Sequence, residues 1–191
     1  MYSDNWVKAY VLGRLSLLQL VWIAMMVSML TLGFVTFQTS QGNIEPHWDL
    51  WVADPFFQIL AITAGVTFVS SRVVLHFLFP VLARASLATA WTEDALRSAR
   101  TSKGHRTWAD NDIPQLLRLV DKDQKAVRLF GPYFISKIIQ FALTEAVAMF
   151  GFVLATAHQS VIVFGPFAAV ALLGFLLSRP TQAEFEAIIS R

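Results

Sequence analysis

Cysteine is absent from the 191 residues, which excludes disulfides, thiolate metal sites and cysteine catalysis at once. Charge is scarce: Asp, Glu, Lys and Arg make up 15% of the chain, against about a quarter in an ordinary soluble domain. The sequence has no glycine loop to cradle phosphate, no H-E-x-x-H and no G-x-S-x-G, and Ser and His fall into no convincing catalytic constellation. The four histidines, His47, His76, His105 and His158, are scattered without ligand spacing, so no metal site is expected. No segment between the apolar runs is long enough to build a soluble catalytic core of its own.

What is abundant is apolar. Hydrophobic residues make up 55% and the mean hydropathy is +0.55. That surplus exceeds what one small domain hides from water, because small domains have much surface per unit volume. An apolar solvent is required. The formal charge of +2 and pI near 9.2 do not point to nucleic acid, since the basic residues are distributed as a membrane topology distributes them.

The hydrocarbon core of a bilayer is roughly 30 Å thick and needs about 20 mainly apolar residues per helix. Four segments meet or approach this: about 15–37, 56–80, 134–157 and 161–178. The last is short, and thinning or snorkelling at its ends accommodates it. The first exceeds the 7–15 residues typical of a signal-peptide core, and Gln38-Thr39-Ser40-Gln41 offers no A-x-A cleavage site, so it reads as a retained anchor. The fold class expected is all-α: an integral membrane protein of four transmembrane helices in one domain.

Lys and Arg concentrate in cytoplasmic loops. Lys8 and Arg14 precede the first span. The loop from Thr39 to Pro55 has neither, only Glu45, Asp49 and Asp54. The following loop, 84–131, holds Arg84, Arg97, Arg100, Lys103, Arg106, Arg118, Lys122, Lys125 and Arg128. Lys137, at the inner end of the third span, is expected to snorkel to the same side. The turn at His158-Gln159-Ser160 has no Lys or Arg, and Arg179 and Arg191 follow the fourth span. Both termini and the large loop are therefore expected in the cytoplasm, with Trp6 and Tyr10 at the inner headgroup level and Trp48, Trp51, Phe56 and Phe57 at the outer. A cell-membrane, multi-pass location follows.

The cytoplasmic loop reads as helical. Residues 85–99 are good helix formers that prolong the second span, until Gly104 breaks them. Asp112, with Pro114 just inside, reads as the cap of a second helix. In it Ile113, Leu116, Leu117, Val120 and Val127 recur opposite Arg118, Lys122, Lys125 and Arg128. Such a helix either lies on an anionic membrane surface or packs on protein. Gly165-Pro166 is expected to kink the fourth span or to begin its helix. Ala142, Ala146, Ala148, Gly151 and Ala155 are small enough to admit a neighbouring backbone.

Ionisable groups inside hydrocarbon are costly, so each is functional or paired by default. Glu145 lies near the middle of the third span, and Arg72, in the second, differs from it in depth by about one helical turn. Three roles are open to Glu145. It belongs to a buried network with Arg72, Gln140, Thr144, Thr63 or Thr67; or it is a protonatable carrier kept neutral by desolvation; or it contacts a neighbouring subunit or a cofactor. Arg72 also reaches the headgroups by snorkelling in the simplest reading. His76 as a haem ligand is weighed against an interfacial or hydrogen-bonded histidine, which is favoured.

Residues 142–155, Ala-Leu-Thr-Glu-Ala-Val-Ala-Met-Phe-Gly-Phe-Val-Leu-Ala, resemble the carboxylate helix of the proteolipid, or c, subunits of rotary ATPases. They are also similar to a Glu-Ala…Phe-Gly helix of small uncharacterised bacterial membrane proteins. The resemblance implies that Glu145 is an ion-carrying carboxylate. It covers one span of four. The first span lacks the Gly-x-Gly-x-Gly series of the proteolipid family, the cytoplasmic loop is far longer, and a further span follows, so ring rotation is not implied. The expected function is non-enzymatic: an accessory or structural subunit of a larger membrane complex, the alternative being a proton- or ion-translocating component using Glu145. The partners expected are the lipid bilayer and a membrane protein or further copies of the chain, with no nucleic acid and no evident cofactor.

Overall fold

The computed structural model describes residues 4–41, 44, 48–89, 91–98, 108–110 and 112–190. Gly104, Arg100, Lys103, Arg106, Arg191, Glu45, His47 and His105 lie outside them. Among the described residues every regular element is a helix: α1 (Asn5–Thr39), α2 (Trp48–Ala53), α3 (Pro55–Ala88), α4 (Glu93–Ser98), α5 (Ile113–Leu117), α6 (Asp121–Ala157), α7 (Val161–Leu177) and α8 (Gln182–Ile189). Three of them, α1, α3 and α6, are long and apolar enough to cross a bilayer, and α7 with α8 makes a fourth if that pair, bent by 61°, is taken as one span.

The three long helices outrun the apolar segments. The 37 residues of α6 extend for about 55 Å, well beyond a hydrocarbon core of about 30 Å. The helix expected from Ile113 is cut at residues 118–120 into the five-residue α5 and the opening turns of α6. Asp112 flanks α5, but its side chain makes no capping bond. Residues 85–99 likewise divide, with α3 ending at Ala88 and α4 standing alone. Gly165-Pro166 does not begin α7, which starts at Val161 and carries Pro166 within it.

The bundle is built around α6. Its Phe141, Thr144, Ala148, Gly151 and Ala155 are buried at helical spacing, with α1, α3 and α7 packed against it. Of the small residues anticipated there, Ala148, Gly151 and Ala155 face inward, whereas Ala142 is exposed. A Cβ on Gly151 would lie 2.9 Å from Cγ of Phe167, so that glycine sets how closely α7 approaches. By contrast α1 and α3 turn large apolar side chains outward, among them Leu20, Leu30, Phe34, Ile62, Val66 and Phe77, each more than 60% exposed. An inward core together with an outward apolar coat is the reverse of a soluble surface.

At the near end, where α1 begins and α3 ends, the α3–α6 connection folds back onto the bundle. Leu96, Ile113 and Leu116 bury themselves with Val7, Val11, Val127, Phe130 and Phe185. Leu117 and Val120, expected on that same apolar face, stay exposed. Asp4 caps α1 by accepting from the Trp6 amide at 2.7 Å, and its own amide donates to Asp123 at 3.0 Å.

The cations of α6 are used as helix caps. The last carbonyls of a helix have no partner within it and carry partial negative charge. Lys125 donates to the Ile189 carbonyl at the end of α8, 2.7 Å away. Nη2 of Arg128 donates to the carbonyls of Ser86, Leu87 and Thr89 at the end of α3, at 2.8, 2.6 and 2.6 Å. At the far end α6 turns into α7 through Gln159, whose φ of 48° is left-handed. The Ser160 amide reaches back to Ala155 at 3.0 Å and that of Gln159 to Thr156 at 3.3 Å, the two bonds of a Schellman cap.

Candidate functional site

With 17 residues, α7 is about 26 Å long, and its C-terminal turn ends inside the bundle. Ser178 closes the helix, its hydroxyl donating to the Gly174 carbonyl at 2.6 Å, and Pro180 follows with no N–H to continue it. The carbonyls of this turn and of the residues just beyond it become the meeting point of the other three long helices. From α1, Trp22 Nε1 donates to Phe175 at 2.9 Å and Gln19 Nε2 to Pro180 at 3.2 Å. From α3, Nη1 of Arg72 donates to Gly174 at 3.1 Å. From α6, Nζ of Lys137 donates to Ser178 at 3.1 Å. Two cations at a helix C-terminus are favourable electrostatically, the more so where water is excluded.

Arg72 is held by several further partners. Its Nη2 donates to the Thr144 hydroxyl and its Nε to Ser71, each at 3.1 Å, and its guanidinium lies 5.3 Å from the centre of the Phe68 ring. Gly174 makes this possible: a Cβ there would stand 2.7 Å from Cγ2 of Thr144 and 3.2 Å from the Phe68 ring. Arg72 therefore binds the helix end rather than snorkelling away.

Arg72 and Glu145 do not meet. Glu145 is half-buried and accepts from the Ser28 hydroxyl of α1 at 2.6 Å. Its sequence neighbour Thr144 takes the arginine, because adjacent residues lie about 100° apart around a helix and face different partners. Thr63 is exposed and donates to the Ile59 carbonyl within its own helix. Gln140 is buried beside Ser136, and among the described residues neither Gln140 Oε1 nor Ser136 Oγ has a hydrogen-bond partner. His76 is exposed and lines, with Arg72 and Lys125, a cleft of about 570 Å³ between α3, α6 and α8. His158 sits 3.3 Å from Asp54 and packs against Trp51 and Phe57. Among the described residues no three His, Asp or Glu side chains gather as a metal site would require.

A buried ion pair brings in Glu184, a residue that sequence reasoning passed over. Lys137 does not snorkel; its side chain is 2% exposed and its Nζ lies 2.8 Å from Oε1 of Glu184 on α8. The other oxygen of that carboxylate accepts from the Tyr133 hydroxyl at 2.9 Å. Glu184 also stands in the first turn of α8, whose Thr181 cap accepts from the Glu184 amide at 3.2 Å. The one signal for this was Lys137 itself, a cation in an apolar run that must be met by a carboxylate somewhere. Among the described residues the charged groups of the interior fall into a pinned network at the end of α7 and the Glu145–Ser28 pair, which has no cation beside it. Compared with protein-family models, curated proteins and solved structures, the chain finds no match, so the likeness of residues 142–155 to a proteolipid carboxylate helix rests on those residues alone.

Proposed function

We propose that this chain is a four-span membrane protein, with both termini cytoplasmic, acting without catalysis as an accessory or structural subunit of a larger membrane complex. The observation that carries the reading is Glu145. A half-buried carboxylate in the middle of an apolar span, supported by one serine hydroxyl, is expensive in hydrocarbon unless something else covers it. A neighbouring helix offering a donor to the α1–α6 seam supplies that cover. The pinned network around α7 supports the same reading: Arg72 and Lys137 are spent on structure, which suits a rigid scaffold better than a moving carrier.

The test is purification of the tagged protein in mild detergent, beside Glu145→Gln and Glu145→Leu variants. A stoichiometric membrane partner, or a defined homo-oligomer, that is retained by the wild type and lost from Glu145→Leu supports the reading. A monodisperse single copy whose proteoliposomes conduct protons, with flux abolished by Glu145→Gln, would replace it with the ion-translocating alternative.

A further inference from the structure

Between α1, the end of α3 and the first turns of α6 lies a pocket of about 350 Å³. It is basic and aromatic: Arg14 and Arg128 line it with Tyr10, Trp91, Trp108 and Ser86, and among the described residues no carboxylate does. The Arg14 guanidinium lies 4.9 Å from the centre of the Tyr10 ring and that of Arg128 5.4 Å from Trp91. Arg128 is anchored through Nη2 alone, which leaves Nε and Nη1 with no partner among the described residues. Arg14, exposed, meets no carboxylate among them.

Two guanidinium groups on stacked rings suit a phosphate, which accepts several charge-assisted hydrogen bonds at once. What distinguishes the pocket from a site for a soluble anion is its floor. Gly131, at its edge, is followed on the same face of α6 by Ile135 and Ile139, 49% and 36% exposed, and then by exposed Ala142. From Gly131 to Ala142 this apolar track runs about 16 Å, close to the thickness of one leaflet. Basic pockets between helices at the cytoplasmic face are where anionic headgroups bind, and Trp and Tyr settle at that depth.

We propose that this pocket binds the phosphate of an anionic phospholipid of the cytoplasmic leaflet, one acyl chain lying along Ile135 and Ile139. The proposal rests on the membrane reading above and adds a ligand to it. Full-length protein in non-ionic detergent is melted with phosphatidylglycerol, phosphatidylcholine or soluble glycerol phosphate, for the wild type and for Arg14→Gln, whose side chain is exposed and whose ligand-free Tm is compared first. Phosphatidylglycerol is expected to raise Tm where phosphatidylcholine does not, with an apparent affinity about tenfold weaker in Arg14→Gln and weaker again at high salt. Equal protection by phosphatidylcholine, or an unchanged Arg14→Gln, overturns the proposal. Protection by glycerol phosphate at matched concentration also overturns it, in favour of a soluble anion. Alkaline carbonate extraction separates the two readings. A protein that leaves the membrane fails the membrane reading, whereas one that stays without headgroup preference fails only this proposal.

Discussion

Replacing Glu184 by Gln leaves the Lys137 ammonium almost wholly enclosed with no counter-charge, only neutral acceptors such as the Ser178 carbonyl at 3.1 Å. Removing one member of a buried ion pair costs about 3–5 kcal/mol, because the other charge stays desolvated and uncompensated. The Glu184 side chain is 30% exposed, so part of the attraction is already screened and the lower end applies, about 3 kcal/mol. Lys137→Met keeps the length of the stem and removes the charge. It leaves Glu184 with the Tyr133 hydroxyl and some access to solvent, for a smaller loss of about 1–2 kcal/mol. The double variant has no stranded charge, so its loss should fall short of the summed single losses by about 1.5–3 kcal/mol. Equilibrium unfolding by SDS in mixed micelles, followed through tryptophan fluorescence, measures all four proteins. Trp22 reports directly, since its indole is bonded to Phe175 in the last turn of α7. Losses that add to within about 0.5 kcal/mol would refute the reasoning and show that the ammonium reaches water.

Gln159→Gly should stabilise the α6–α7 turn by about 1 kcal/mol, since glycine takes a φ of 48° without the Cβ penalty; equal or lower stability in the same titration contradicts the Schellman assignment. Gly174→Ala should destabilise by about 1–3 kcal/mol, as α7 must retreat from Thr144 and loosen Arg72, and a neutral result would mean that α7 has room to spare. Reporter fusions after Gln41 and His158 should be extracytoplasmic and those after Ser98 and Ser190 cytoplasmic; a cytoplasmic signal at Gln41 reverses the orientation.

The long apolar helices were legible because about twenty successive residues with almost no charge suit hydrocarbon, and three of these helices, or four if the bent α7–α8 pair is one span, are long enough to cross it. Their ends were not. Once a helix leaves the apolar zone its pattern becomes amphipathic, and 121–133 looks the same whether it is a separate helix or the stem of α6. Glu145 and Arg72 stood out by type and depth, yet depth does not fix azimuth, and one residue's rotation sends Thr144 to α3 and Glu145 to α1. The caps were hidden for a different reason. Lys125, Arg128 and Lys137 bind backbone carbonyls, and a carbonyl has no letter in the sequence. Glu184 was obscured by the stop at Ser178-Arg179-Pro180, which made the residues beyond it look like a tail.

Chain order gives the α7 terminus a temporal meaning. Trp22, Arg72 and Lys137 are all synthesised before the carbonyls that receive them. While the nascent chain ends short of Gly174, the indole N–H of Trp22, Nη1 of Arg72 and Nζ of Lys137 lack the carbonyls that receive them, although α3 and α6 already meet through Arg72 and Thr144. Arrival of the last turn of α7 satisfies all three at once. Locking of that end of the bundle should therefore come last, and a chain released before that turn should be looser there and more readily cut by protease.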